Sequence, residues 1–265
     1  MNGHDFIIKE PEEAYHAKSK SGEFLSSHFL AEFRKCPMLY QKRIAGEIAD
    51  EDRPAFTIGR AAHCLILEEP EAFQLRYMVG EPINAKTGKP FGKGTQAYAE
   101  WLDAQEKEVI SPADFEFITR LDEAVWSHDE AQHLLNDYIP EAVVRAEYCG
   151  LPCQIRMDAF SPTRGIVDLK TCDDLTWFEA DARRFGYAQQ MAFYREVLCV
   201  AAGKRWPVHM VAVEKKEPFR CGVWRISEMA LDSAANENAA AIARLKDCRK
   251  SGVWPTLYEE IRFID

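Results

Sequence analysis

Met157-Asp158-Ala159-Phe160, a turn at Ser161-Pro162-Thr163-Arg164, and then Gly165-Ile166-Val167-Asp168-Leu169-Lys170 set two acids ten residues apart, with a lysine two beyond the second. In a strand, side chains at i and i+2 share a face. Asp168 and Lys170 therefore point one way, while Val167 and Leu169 point into a core. Pro162 and Gly165 supply the chemistry of a chain reversal. A hairpin centred there brings Asp158 opposite, or nearly opposite, Asp168. Two carboxylates and an ammonium then meet at one place, where they can hold a hard divalent cation and polarise a phosphate.

Outward from this hairpin, the pattern predicts one mixed α/β domain, with a central mixed β-sheet flanked by helices. The 265 residues divide into a helical part over about 1–140, a sheet core over about 141–227 and a terminal helix over about 228–250. Ser26-Ser27 caps a helix that begins at His28, and Cys36-Pro37 opens the next helix or turn. A mostly apolar helix carrying Gly59 and His63 is expected over 57–68, and further helices over 95–108 and 112–128, the latter opened by Ser111-Pro112. Three short strands are read at 145–149, 153–160 and 165–171. Helices follow at 177–186 and 187–202, the second ending at Gly203, then a hairpin of 208–214 with 220–226.

Composition is that of an ordinary soluble globular protein, 47% hydrophobic and 29% charged. There is no long apolar run and no basic-then-apolar leader, so a cytoplasmic protein is expected. The eight cysteines form no Cys-x-x-Cys pair and read as reduced. A net charge of -10 argues against a passive nucleic-acid coat. It leaves room for a nuclease, in which a metal neutralises the carboxylates and local cations meet the phosphate.

Mg²⁺ prefers hard oxygen ligands and is often held by one or two carboxylates plus water and substrate phosphate. Asp158 and Asp168 suit that role, with the backbone carbonyl of Leu169 as a further oxygen. Such an ion acidifies a bound water and stabilises charge on phosphoryl oxygens. Lys170 can position that water or offset the developing charge. The plainer alternative is a surface hairpin with a solvated Asp–Lys pair.

Asp158 followed by Asp168-Leu169-Lys170 resembles the PD-(D/E)xK nuclease core, with Met157 in place of the proline. Other segments are similar to the RecB-like branch, and within it to RecE-type exonucleases. These are Glu13-Ala14-Tyr15-His16, Ser27 to Cys36-Pro37-Met38-Leu39-Tyr40, the Gly-x-x-x-His of Gly59 to His63, and the Gln-x-x-x-Tyr of Gln190 to Tyr194. The matches run in order from about residue 10 to 200. The resemblance implies that His63 joins Asp158 and Asp168 around the metal. It implies that Glu147 is the acid on the strand before the hairpin, and that Gln190 orients the site or contacts substrate phosphate. Tyr187 can share the face of Gln190, while Tyr194 is equally well core packing.

The cysteine spacing lacks the pattern of an iron–sulfur cluster. Lys86, Lys89 and Lys93 lie in a glycine-rich stretch that lacks nucleotide-binding P-loop spacing. They can contact DNA backbone or be plainly solvated, as can Arg34, Lys35, Lys42 and Arg43. Among the tryptophans, Trp177 lies near the site and is a candidate for base stacking.

The resemblance implies a Mg²⁺-dependent exodeoxyribonuclease, with Mn²⁺ able to substitute. Its expected action is processive 5′-to-3′ digestion of linear double-stranded DNA in phage or prophage recombination. It further implies a ring-like homo-oligomer, a tetramer, and a single-strand annealing recombinase as partner. Two other readings remain: a RecB-like endonuclease or repair or CRISPR-adaptation enzyme, and a catalytically silent scaffold that binds DNA ends.

Overall fold

The apolar alternation of the central strands builds one five-stranded sheet with helices on both faces. The computed structural model describes residues 6–48 and 54–263, those at 54–56 by backbone only. The chain opens with α1 (Glu12–Lys20), α2 (Ser27–Lys35), α3 (Pro37–Ile44), α4 (Pro54–Leu67) and α5 (Pro70–Arg76). A short parallel pair follows, β1 (Tyr77–Val79) and β2 (Glu108–Ile110), with α6 (Gln96–Asp103) between them. Then come α7 (Pro112–Trp126), α8 (Asp129–Leu134), β3 (Ile139–Tyr148), β4 (Leu151–Ser161) and β5 (Gly165–Cys172). The chain continues through α9 (Phe178–Phe185), α10 (Tyr187–Ala202), β6 (Val208–Glu214), β7 (Cys221–Arg225) and α11 (Glu228–Ser251).

Hydroxyl caps start several helices where expected. Ser26 accepts from the Phe29 N–H, and Ser111 from the Asp114 N–H just before Pro112 at the first helical turn. Gly186, at φ +72°, turns the chain between α9 and α10, and Gly203 closes α10 in the same left-handed conformation. The helix expected over 95–108 ends at Asp103, because residues 108–110 pair with β1. The short helices α5 and α8 and the β1–β2 pair had no periodicity long enough to signal them.

Strand order is β3-β4-β5-β6-β7, antiparallel except for β5 with β6. The parallel pair is joined by the α9–α10 crossover, as a parallel pair requires. One face of the sheet packs Ile155, Met157, Phe160 and Ile166 against residues of α2, α10 and α11, including Phe33, Phe193 and Leu245. The other packs Ala159, Val167, Leu169 and Val211 against α4 and α7, through residues such as Ala62, Ile118 and Leu121. Val167 and Leu169 thus enter one core while Ile166 enters the other, the alternation expected of β5.

Three polar anchors hold the helices that carry site residues. Fully buried Arg195 of α10 pairs with Glu196 at 2.9 Å, Glu228 at 2.8 Å and Asp232 at 2.6 Å, tying α10 to α11. Buried Gln154 of β4 donates to the Tyr15 carbonyl and to Ser19 Oγ, both at 2.7 Å, which docks α1 on the sheet. Trp126 Nε1 donates to the Ile66 carbonyl at 3.2 Å, joining α7 to α4.

Candidate active site

The β4–β5 ladder pairs Ser161 with Gly165, Phe160 with Ile166 and Ala159 with Val167. The next pair in that register would be Asp158 with Asp168, and there the ladder opens. The Leu169 N–H donates to Asp158 Oδ2 at 2.8 Å, so a carboxylate occupies the place of a backbone acceptor. The phase of β4 shifts at the same point: Met157 and Phe160 enter one core and Ala159 the other. On the neighbouring strand, Pro140 pairs with Ala159 and Ala142 with Met157. Glu141 lies between those pairs, opposite Asp158, in a left-handed conformation at φ +51°. For a residue with a side chain this conformation costs about 1–2 kcal/mol, and such strain gathers at functional sites.

Into this gap point the residues singled out in sequence. Lys170 Nζ stands 2.7 Å from Asp168 Oδ2, and His63 Nδ1, from α4, 3.5 Å from Asp158 Oδ2. Gln190 Nε2, from α10, lies 3.4 Å from Asp168 Oδ1 and 3.4 Å from the Tyr194 hydroxyl. Tyr194 is thus not packing alone: its hydroxyl accepts from Gln190. Tyr187 sits one helical turn before Gln190, with Lys170 Nζ 5.1 Å from its ring centre.

Burial sets the protonation states. Asp168 is almost wholly buried, and loss of water pushes its pKa up to about 6; Lys170 pulls it down and Asp158 pushes it further up. Burial opposes the Lys170 ammonium, yet Asp168 and Asp158 hold its pKa above the usual lysine value. His63 shifts downward through burial, which Asp158 only partly offsets, so its imidazole is kept neutral, the form that binds a metal.

Asp168 Oδ2 is buried, and apart from the close Lys170 ammonium it has no directed hydrogen bond. Such an atom is an acceptor left over for a further partner. Among the described residues, no three His, Cys, Asp or Glu side chains form a ready-made ion cage. Asp158 and Asp168 still supply the carboxylate number with which Mg²⁺ is commonly held when water and phosphate complete its shell. With neutral His63 beside Asp158, the donor set fits a hard divalent ion. Strand N–H and C=O groups leave by the same edge, so the Leu169 carbonyl faces the gap that its N–H enters.

The gap opens into a cleft of about 450 Å³ lined by Glu12, Arg60, His63, Glu141, Arg156 and Asp158 among others. Arg156 bridges two of its acids, with Nε 2.6 Å from Glu141 and Nη2 3.4 Å from Glu12. Burial lifts the Glu141 pKa to about 8; Arg156 opposes this, while Asp158, Glu68 and Glu12 add to it.

Glu147 does not join this group. It is exposed, and it pairs with Pro152, six residues along β4 from Asp158 and so about 20 Å away. The acid beside Asp158 on the preceding strand is Glu141. Sequence reasoning missed it because β3 begins at Ile139, not Arg145. Pro140 and the left-handed Glu141 mask that start, and Pro140 is tolerated because β3 is an edge strand. Lys86, Lys89 and Lys93 lie between β1 and α6 and do not line the cleft; Lys93 pairs with Asp114 at 3.4 Å. Arg34 instead donates to Asn238 at 2.5 Å, linking α2 to α11, and Arg43 pairs with Glu32 at 3.2 Å.

The family model described as a PDDEXK-like domain of unknown function (DUF3799) matches residues 26–265. The chain belongs to this family. The expected PD-(D/E)xK fold, with its central mixed sheet flanked by helices, is therefore present. A protein from Eubacterium rectale, named as a candidate exonuclease, shares the fold over nearly its whole length. Its TM-score is 0.71 at 15% identity, covering 97% of this chain and 96% of that one. A phage related exonuclease from Haemophilus somnus 129PT is 16% identical with a TM-score of 0.36, covering 65% of this chain and 91% of its own. No curated protein matches. Among the described residues, no helix is long and apolar enough to cross a membrane.

Proposed function

We propose that this chain is a divalent-metal-dependent deoxyribonuclease, and specifically an exonuclease that digests linear duplex DNA from its 5′ ends. The observation that carries the reading is the opened ladder, where Asp158, Asp168 and Lys170 meet with Gln190 from α10. Asp158 and Asp168 would hold Mg²⁺ or Mn²⁺, with His63 and the Leu169 carbonyl alongside. When bound, the ion supplies an acidified water and neutralises charge on the phosphate.

The chain's own residues do the rest. Lys170, kept protonated by the two carboxylates, faces the phosphoryl oxygens as negative charge develops. Gln190, braced by Tyr194, fixes the Asp168 carboxylate and offers its amide to the substrate phosphate. Neutral His63, 3.5 Å from the same Asp158 oxygen that the Leu169 N–H bonds, helps to hold that carboxylate in place. Glu141, beside Asp158, replaces Glu147 as the additional acid that orients water near the metal.

The setting that accompanies this reading is phage-type recombination, in which a 3′ single strand passes to an annealing recombinase. The chain would act as a ring-like homo-oligomer, a tetramer. The motif order shared with RecE-type exonucleases supports this setting, and the name given to the Eubacterium rectale protein of the same fold supports the exonuclease reading alone. End-labelled linear duplex and closed-circular DNA, incubated with Mg²⁺ and with chelator, test the reading. Release of label from linear DNA only, and only with metal, is expected. Cutting of closed circles would replace the exonuclease by an endonuclease. DNA binding with no metal-dependent cutting would leave a scaffold.

A further inference from the structure

On the solvent side of Lys170 a series of ring contacts runs outward from Tyr187 at the start of α10 to the C-terminal end of α9. Lys170 Nζ lies 5.1 Å from the centre of the Tyr187 ring. Tyr187 stacks with Phe185 at 5.9 Å and an interplanar angle of 30°. The Arg184 guanidinium lies 4.5 Å from the centre of Phe185. Phe185 is 54% exposed and Trp177, at the start of α9, is 65% exposed. Trp177 closes the short 3-10 turn Leu175–Trp177 from which α9 starts, and Arg184 lies in the last turn of that helix. Arg183 is exposed beside Arg184.

Two large aromatic side chains at the surface are not there for the core, which Phe178 already fills from the same helix by packing on Trp224 at 4.4 Å. Their flat faces match flat ligands, and Arg183 and Arg184 match anionic ones, on a chain whose net charge is -10. Asp181, 4.0 Å from Arg184, and Glu179, which accepts from Trp224 Nε1 at 3.4 Å, are the acids of the same helix. Aromatic rings interleaved with cations are the usual platform for unpaired nucleotides: bases stack on rings or guanidinium planes while cations meet the phosphates. A paired, stacked duplex offers no base face to such a surface.

We propose that Trp177, Phe185 and the Arg183–Arg184 pair form a stacking platform for unpaired nucleotides of the strand being cut. The series from Arg184 through Phe185 and Tyr187 ends at Lys170, so that part of the platform adjoins the candidate active site. This inference rests on the nuclease reading above and adds the substrate form: the strand reaches Lys170 frayed or single-stranded, not paired.

The test is fluorescence anisotropy of a short fluorescein-labelled oligothymidine and of a blunt hairpin duplex, both in chelator so that no cutting occurs. The wild type is compared with Trp177→Ala, Phe185→Ala and Phe185→Trp. The rings are exposed, so circular dichroism should show these variants folded as the wild type. Each alanine variant should lose roughly 5- to 150-fold in single-strand affinity, the loss of about one stacked base, with much less change for the duplex. Phe185→Trp should restore binding. Wild type that fails to bind oligothymidine, alanine variants that bind it as the wild type does, or equal losses for duplex and single strand would each overturn the platform. Metal-dependent hydrolysis, assayed separately, isolates the other failure: absent cutting removes the nuclease reading whichever way the binding comparison falls.

Discussion

At the residue scale, the proposed chemistry depends on a carboxyl group held out of water. The pKa of Asp168 is pushed up to about 6 by burial, so below that pH its neutral form prevails. A divalent ion needs the carboxylate, and binding must then displace a proton. The sign follows: metal affinity falls as pH drops through about 6 and rises above it. Mn²⁺ should therefore raise the melting temperature strongly at pH 7 and little at pH 5, as differential scanning fluorimetry would show. An equal or larger rise at pH 5 would mean that the ion binds away from Asp168. In the metal-free protein the same raised pKa acts in the other direction, and Asp168 lowers stability as pH rises from its ordinary value to about 6. The Asp158, Asp168 and Lys170 trio was legible in sequence because its strand spacing fixes which side chains share a face. Glu141 was not, since its place beside Asp158 depends on a left-handed backbone that no periodicity announces.

At the element scale, the β4–β5 hairpin sets the geometry, and its turn rests on Gly165. This residue sits at φ +98°, and a Cβ there would meet the Pro207 carbonyl oxygen at 2.1 Å, the same oxygen that accepts from the Ile166 N–H. Gly165→Ala should destabilise by at least about 2 kcal/mol, combining backbone strain with a clash against fixed backbone. Gly203→Ala is the control: φ is +71° but no atom lies within 4 Å of the added carbon, so only the left-handed strain of about 1–2 kcal/mol applies. Urea denaturation compares them, and equal losses would show that the approach to Pro207 does not matter. This hairpin, the α9–α10 crossover and α11 were readable from alternation, caps and glycine stops. The short helices α5 and α8 were not, nor was the β1–β2 pair. Each is about two turns or less, or three residues wide, and forms because tertiary neighbours bury it.

At the scale of the whole molecule, the five-stranded sheet separates the two larger cores and belongs to both. Phe160 and Ile166 enter one and Val167 and Leu169 the other, from adjoining positions on the same two strands. The helical part before residue 139 cannot keep its core without β5 and β6, so the chain should unfold as one unit. Tryptophan fluorescence and far-ultraviolet circular dichroism should report coincident urea transitions; two separated transitions would divide the chain into independent domains. The mixed α/β class was legible from the order of strand and helix patterns. The sharing of the sheet was not, because which face meets which helix is decided by packing.

Calorimetric titration of Mn²⁺ into the wild type, Asp168→Ala and Lys170→Ala bears most directly on the proposed metal site. Wild type should bind the ion, Asp168→Ala should lose at least about tenfold in affinity, and Lys170→Ala should bind nearly as the wild type does. Unchanged binding by Asp168→Ala, or equal losses in both variants, would contradict a carboxylate-held ion with a lysine that acts on the phosphate.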